Sequence, residues 1–261
     1  MHHNEAGSVR SQEKREAQQA QGGVEVSKHI KRLVAPNSWG IQRKISTWVT
    51  KPNSGPHAVD RSVPLLVLLR DMLKMCDSAR EAKHIIGNRN ILVDGRTVTD
   101  HKFPVGFMDV ISVPKTGDHY RMMMDTHGRF RLTSITGDEA KTKLLRIENK
   151  KTLPGGKLQL NLHDGRNMLI EKNIYKTGDV LKVDIEQNKI LKHIPLKEGN
   201  LALLVGGSHP GELVTVQSFQ VKRGSSQNLI SFKEGFATVW DHVFVIGAKS
   251  PEIKLLEAGA I

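Results

Sequence analysis

The stretch from Ser78 to Val113 constrains this chain more than any other. Ser78 and Glu81 stand at capping-box spacing and predict a helix that begins at Ser78. Gly87 and Asn88 tolerate positive φ and predict its end. Ile91, Leu92 and Val93 then read as a short strand. Asp94-Gly95 is the dipeptide that a type I′ hairpin turn prefers, so Arg96 to Thr99 return, and Asp109 to Val113 supply one more strand. Arg80, Lys83 and His84 fall at i, i+3 and i+4 and share a helix face, whereas Ala82, Ile85 and Ile86 point the other way, into a core. Arg89 follows the helix and Arg96 follows the turn. Two readings stay open on spacing alone: an ordinary solvated charged face, or a compact basic surface that grips a phosphate backbone.

Charge bears on that choice. The 261 residues carry a formal net charge of +12, which predicts a polyanionic partner, either nucleic acid or an acidic membrane surface. The longest apolar run, Leu65 to Leu69, is far short of the ~20 residues of a membrane span, no secretory leader pattern is present, and no long basic amphipathic helix is visible. Nucleic acid is the partner left. Aromatic content is 5%, so the cores must be aliphatic, which suits small β-rich units. Cys76 is the sole cysteine; it forms no intramolecular disulfide and no zinc cluster, and a reducing intracellular compartment is the default.

The N-terminal Met1 to Gly23 is polar with no apolar face and predicts disorder. Between Glu25 and Asp60 no acidic residue occurs, while Lys28, Lys31, Arg32, Arg43, Lys44 and Lys51 do, with Trp39 and Trp48 interleaved. Such a segment cannot build a core of its own. It can lie along phosphates, its tryptophans either packing on bases or anchoring it to the neighbouring unit.

Ser62 to Cys76 predicts a helix capped by Ser62, with Pro64 in its first turn and Leu65, Leu69, Met72 and Cys76 on one apolar face. Cys76 reads as a small core residue. Strands are expected over Arg129–Leu132, Lys157–Leu162 and Val180–Ile185, separated by turns at 116–118, 154–156, 164–165 and 177–179. Thr136 and Glu139 predict a second capping box, opening a short helix that ends near Arg146. Met122 to Met124 read as strand packing, and His163-Asp164 as a turn. Phe232, Phe236, Val239, Trp240, Val243 and Phe244 are expected to close a C-terminal core. Gly206-Gly207-Ser208-His209-Pro210 fails the nucleophile-elbow pattern at Pro210 and lacks the ending of a P-loop.

The central stretch resembles the S-four-type RNA-binding module on Ser78, Arg80, Ala82, Val93, Asp94, Gly95, Val98, Pro104, Val105, Gly106, Asp109, Val110 and Val113. A longer ordered series is similar to the archaeal/eukaryotic small-subunit ribosomal protein family S-four-e: Ser27 to Leu33, Ala35-Pro36, Ser38-Trp39, Gly55-Pro56-His57, Pro64-Leu65, Leu69-Arg70-Asp71, Phe103 to Gly106, Met108 to Ile111, His163 to Asn167 and Val245 to Gly247. Gly199 to Gly207 with Gly211-Glu212-Leu213 resembles a KOW motif, although Val214 and Thr215 stand where that pattern often has another glycine. Met1 to Glu25 has no counterpart in the family, and the expectation is that the natural protein begins at Val26.

The resemblance implies an α+β, multi-domain chain: a disordered extension (1–26), a basic N-terminal arm (27–61), an S-four-type helix–hairpin domain (62–114), a central β-rich domain (115–194), a C-terminal SH3-like KOW β-barrel (195–249) and a tail, expected as a short helix (250–261). It implies a structural constituent of the cytoplasmic small ribosomal subunit, with rRNA and neighbouring ribosomal proteins as partners, and neither enzymatic activity nor cofactor. The expected RNA contacts are Lys28, Lys31, Arg32, Trp39, Arg43, Lys44, Arg80, Lys83, Arg89, Arg96, Gly206 and Gly207. Two alternatives are an RNA-modifying enzyme of pseudouridine-synthase type and a KOW-bearing transcription elongation factor. The first needs a catalytic aspartate in a recognisable motif, which the region after Val113 lacks; the second leaves Arg80 to Val113 unexplained.

Overall fold

The structure is a computed structural model and describes residues 29–256, apart from 172, 223, 225 and 226. The expected extension over 1–26, Lys28 and the end of the tail beyond residue 256 lie outside the described residues.

The arm opens with β1 (Ile30–Lys31), paired antiparallel with β2 (Trp48–Val49), and the loop between them folds back so that Arg32 N donates to Thr47 O at 2.9 Å. β3 (Ser62–Pro64) follows, then α1 (Leu65–Val67), whose last turn widens into a π-helical stretch, Leu68–Met72. The expected helix from Ser62 is therefore shorter. Pro64 disfavours helical φ/ψ at Val63, so Ser62 to Pro64 stay extended. The Ser62 hydroxyl donates to Ala58 O at 2.8 Å and caps nothing. Leu65 to Leu69 are all buried, so the segment is apolar all round rather than along one stripe.

α2 (Ala79–Gly87) begins where the spacing predicts, and both hydrogen bonds of the Ser78–Glu81 capping box are made. Its end differs. Asn88 has φ −77, and the left-handed residue is Arg89, φ 58. β4 (Leu92–Val93) and β5 (Arg96–Thr97) form the hairpin, with Asp94 at φ 49 and Gly95 at φ 71 as a type I′ turn requires. β6 (Pro104–Gly106) pairs with β3, and β7 (Val110–Val113) pairs with β4. β8 (Asp118–Met124) and β9 (Phe130–Ile135) extend the sheet to five strands in the order β5-β4-β7-β8-β9. The sheet thus runs on past residue 115, and Met122 to Met124 face its core.

α3 (Gly137–Ala140) is one turn long, and Thr136 makes no side-chain cap hydrogen bond. The helix stops early because β10 (Thr142–Thr152) takes residues 142–146 into a ladder with residues 180–184. β11 (Leu158–Leu162), β12 (Asn167–Ile170), β13 (Val180–Asp184) and β14 (Ile190–Ile194) complete an antiparallel sheet of order β12-β11-β10-β13-β14. β15 (Leu201–Leu204), β16 (Leu213–Gln220), β17 (Leu229–Phe232), β18 (Ala237–Val239) and β19 (Val243–Gly247) make the third, of order β18-β17-β16-β15-β19. The described chain is mostly β, several antiparallel sheets with few helices, of which the nine-residue α2 is the longest, so the helical share is smaller than the α+β expectation.

One continuous core joins these pieces. It takes Trp39 and Val49 from the arm, Leu65 to Leu69, Ala82 and Ile86 from the helices, Met122 and Phe130 from the first sheet, and Leu144, Ile194, Phe244 and Ile253 from later segments. Phe244 therefore serves this core, while Phe232 and Val243 pack under their own sheet with Phe236 and Trp240. Residues 250–256 form no helix; Ile253 is buried and Glu252 pairs with Lys182 and Lys192.

Candidate nucleic-acid interface

The capping box fixes the start of α2 and with it the rotation of the helix. Ala82 and Ile86 are buried, leaving Arg80, Lys83 and His84 exposed on the opposite face. His84 meets the Asn88 side chain at 3.2 Å, and the turn there brings the exposed Arg89 onto the end of the helix. Lys83 stands near His101, and burial together with that ammonium holds the His101 imidazole below its ordinary value. The hairpin turn exposes Arg96 at the first position of β5. Arg96 lines a groove of about 990 Å³ between the hairpin and the β11–β12 edge, and Arg166 lines it too. Arg80, Lys83, Arg89, Arg96, Lys31 and Lys44 are exposed, and none makes an ion pair among the described residues.

The arm divides the expected contacts. Lys31 and Lys44 face solvent. Arg43 is half-buried, its guanidinium donating to Leu33 O at 2.8 Å and to Asn37 Oδ1 at 2.5 Å. Arg32 is 3% exposed, donates from Nε to Gln42 O at 2.5 Å and pairs with Asp71 at 3.3 Å. Trp39 is fully buried and its Nε1 donates to Ser62 O at 2.6 Å. Arg32 and Trp39 therefore face the protein and anchor the arm, which corrects their expected place on an RNA-facing surface. Trp48 is the tryptophan at the surface; it is 52% exposed, with His29 edge-on to it at 4.9 Å.

In the glycine-rich turn, Gly206 and Gly211 approach the rest of the chain. A Cβ on Gly206 would stand 2.6 Å from His242 Nδ1, and one on Gly211 would stand 2.5 Å from the Asp125 backbone. The close approaches that these glycines permit are made within the chain. Gly207, φ 86, is exposed.

Under this surface lies a buried ionic junction that sequence reasoning missed. Lys143 is 1% exposed, and its ammonium lies 2.6 Å from Asp94, 2.6 Å from Asp109 and 3.3 Å from Asp164. Arg166 pairs with Asp94 and Asp164, both at 3.0 Å. Asp109 also accepts from Gly106 N at 2.8 Å and lies 3.0 Å from His57 Nε2. Burial alone would raise the Asp109 pKa; the Lys143 ammonium and His57 override it and hold the carboxyl well below the usual range. Burial likewise opposes the charge on Lys143, but Asp109, Asp94 and Asp164 raise its pKa above the ordinary value. His163 Nδ1 accepts from Arg146 N at 3.1 Å, so Nε2 carries the proton, toward Phe107 O at 3.3 Å. Burial, with the Lys143 charge, pushes this imidazole down to about 3.

Backbone packing follows the same convergence. A Cβ on Gly55 would stand 2.6 Å from Pro104, one on Gly106 would clash with the His57 ring, and Gly165 rests on the Pro56 backbone. A second junction ties in the C-terminal sheet: Arg146 donates to Asp241 O at 2.7 Å and Val243 O at 3.1 Å, and lies 5.6 Å over the Trp240 ring. Lys143 and Arg146, two cations inside the otherwise apolar run from Lys143 to Ile147, were the sequence signal for both junctions.

The chain is similar to known proteins along most of its length. The model of ribosomal family S4e matches residues 116–190, that of the RS4NT (NUC023) domain residues 26–60, and that of the S4 domain residues 63–111. The chain is 45% identical over 232 residues to small ribosomal subunit protein eS4 of Methanothermobacter thermautotrophicus, spanning 87% of this chain and 96% of the relative. It is 42% identical over 240 residues to the protein of that name from Methanocaldococcus jannaschii, spanning 87% and 97%. The crystal structure of the 30S ribosomal protein S4e from Thermoplasma acidophilum superposes with a TM-score of 0.64 at 41% identity, covering 72% of this chain and 96% of that chain.

Proposed function

The chain belongs to the family of small ribosomal subunit protein eS4, and on that premise we propose how it holds rRNA as a structural, non-enzymatic constituent of the small ribosomal subunit. Lys31 and Lys44, with Lys28 and the half-buried Arg43, form one line of phosphate contacts along the arm. Arg80, Lys83, Arg89 and Arg96 form the second, around α2 and the hairpin. The C-terminal sheet serves as an SH3-like KOW barrel whose Gly206–Gly207 turn borders the RNA. The sequence limits 27–61, 62–114, 115–194 and 195–249 name the units, with β8 and β9 joining the second unit's sheet across the limit at 115, and neighbouring ribosomal proteins complete the surroundings.

One observation carries this reading. Buried and half-buried carboxylates are neutralised inside the protein by Lys143, Arg166 and Arg32, while Lys31, Lys44, Arg80, Lys83, Arg89 and Arg96 stand exposed without an ion pair among the described residues. The charge excess is thus presented outward, where each phosphate contact releases a counterion. The test is sedimentation of a native lysate on sucrose gradients at low and moderate salt. Co-migration with the small subunit through moderate salt is the expected result; free protein at the top of the gradient, or co-purification with RNA polymerase, would refute it.

A further inference from the structure

Four large apolar side chains stand exposed together on the arm: Leu33 at 62%, Val34 at 72%, Ile45 at 66% and Trp48 at 52%. Hydrogen bonds bring the two segments that carry them side by side. Lys31 pairs with Trp48, Arg32 N donates to Thr47 O, Arg43 donates to Leu33 O, and the loop from Gln42 to Trp48 thereby folds back on residues 31–34. Single exposed apolar residues are ordinary, but a group of four on one small element marks an interaction surface. The charge around it has one sign: Lys31, Arg43 and Lys44 border it, and no acidic residue occurs between Glu25 and Asp60.

We infer that this patch receives unstacked bases, so the arm's partner is single-stranded or looped RNA rather than a duplex. The inference rests on the rRNA-binding reading and names the class of RNA that the arm takes. A duplex offers phosphates to Lys31 and Lys44 but keeps its base faces inside its own stack, which would leave the four apolar side chains in water. An unpaired strand offers phosphates and base faces together, and the face of an indole takes any base. In β2 the alternation aims Val49 inward and Trp48 outward, so the ring is presented by the fold. The other tryptophan of the arm, Trp39, is sealed inside and takes no part.

The test uses the full chain with a twelve-nucleotide oligouridylate and, separately, an A-form duplex of equal phosphate count, each titrated at several salt concentrations. Trp48→Ala should weaken binding to the oligouridylate about tenfold, the size of one base–aromatic stack. Duplex affinity and the salt slope should stay the same. The parent's tryptophan emission should be quenched on binding; Trp48→Phe should keep most of the affinity and lose that quenching. Unchanged urea midpoints for both variants would establish that folding is intact. Equal affinity of Trp48→Ala and the parent for the oligouridylate overturns the inference while leaving phosphate binding standing. So does an equal loss on both RNAs. If Trp48→Ala leaves both RNAs untouched but impairs incorporation into small subunits, the patch belongs to a protein neighbour and the inference fails. A parent protein that binds neither RNA, with no salt slope, removes the phosphate reading as well.

Discussion

The ammonium of Lys143 and the carboxylate of Asp109 meet at 2.6 Å in a place where each side chain is nearly inaccessible to water. Lys143 lies on the central sheet and Asp109 enters the strand β7 of the first sheet; His57, from the arm, closes on the other side of the same carboxylate. The junction therefore ties the arm and both sheets through one charge cluster. Any surface built from the arm and the α2–hairpin face inherits its geometry from this contact.

Lys143→Met should destabilise the protein by about 3–5 kcal/mol, because it leaves Asp109 and its neighbours as uncompensated buried charge. Lys143→Met combined with Asp109→Asn should recover part of that loss. Urea unfolding followed by circular dichroism gives both values. A single variant within about 0.5 kcal/mol of the parent, the range of ordinary surface substitutions, would show that the cluster is not under strain when broken.

Acid should weaken the fold in two stages. The unfolded His163 ring takes up a proton near pH 6.5, whereas the folded ring, pushed down to about 3, refuses it. The unfolded state then binds more protons, so stability falls as pH drops from about 6.5 toward 3. Asp109, held below its ordinary value, contributes stability that is present above about pH 4 and lost below it. Lys143, with a raised pKa, contributes below about pH 10.4 and loses that contribution only as pH rises through its higher folded value. His163→Asn keeps an acceptor for Arg146 N and removes the titration. Its urea midpoint should vary less than the parent's between pH 6.5 and 4; parallel curves would contradict the assignment.

Local signals were legible and long-range ones were not. Ser78 and Glu81 placed α2, and Asp94-Gly95 placed the hairpin, since each is decided by neighbours in the chain. The Thr136–Glu139 pattern failed because β10 pairing with β13 claimed the residues that a longer helix needs. Arg32 and Trp39 looked like contacts to RNA because a basic, tryptophan-bearing segment reads the same whether its side chains face a partner or the protein. Their partners, Asp71 and Ser62, lie 39 and 23 residues away. The segments Gly55-Pro56-His57, Phe103 to Gly106 and His163 to Arg166 were visible as separate family marks. That they pack on one another is a tertiary fact that no local spacing encodes.

The α2 face should be read by salt. Arg80→Ala combined with Lys83→Ala should lower the slope of log affinity against log salt by about 1.4–1.8, the range for two phosphate contacts, with α2 intact because Ser78 and Glu81 are retained. Lys189→Ala combined with Lys192→Ala should cost less rRNA affinity, although Lys192 also holds Glu252 at 2.5 Å, so the tail must be checked for release. Filter binding across salt concentrations measures both pairs. Equal losses would deny the helix face a special role.

Two holds on the arm, Trp39 and the seat of His57, should fail in different ways. Trp39→Ala empties a fully buried site and breaks the Nε1 bond to Ser62 O, which predicts a loss of about 3–5 kcal/mol, the range for a large aromatic in a core. Gly106→Ala keeps the core but drives a methyl against the His57 ring, forcing the ring off Asp109. Its damage should be local: the arm should loosen while the sheets persist. Limited proteolysis separates the cases. In Gly106→Ala, trypsin should cut sooner at Arg43, Lys44 or Lys51 while the fragment beyond Arg61 survives, and in Trp39→Ala the whole chain should become more labile. Uniform protection of the arm in Gly106→Ala would mean that His57 finds another seat and that the junction is not what holds the arm.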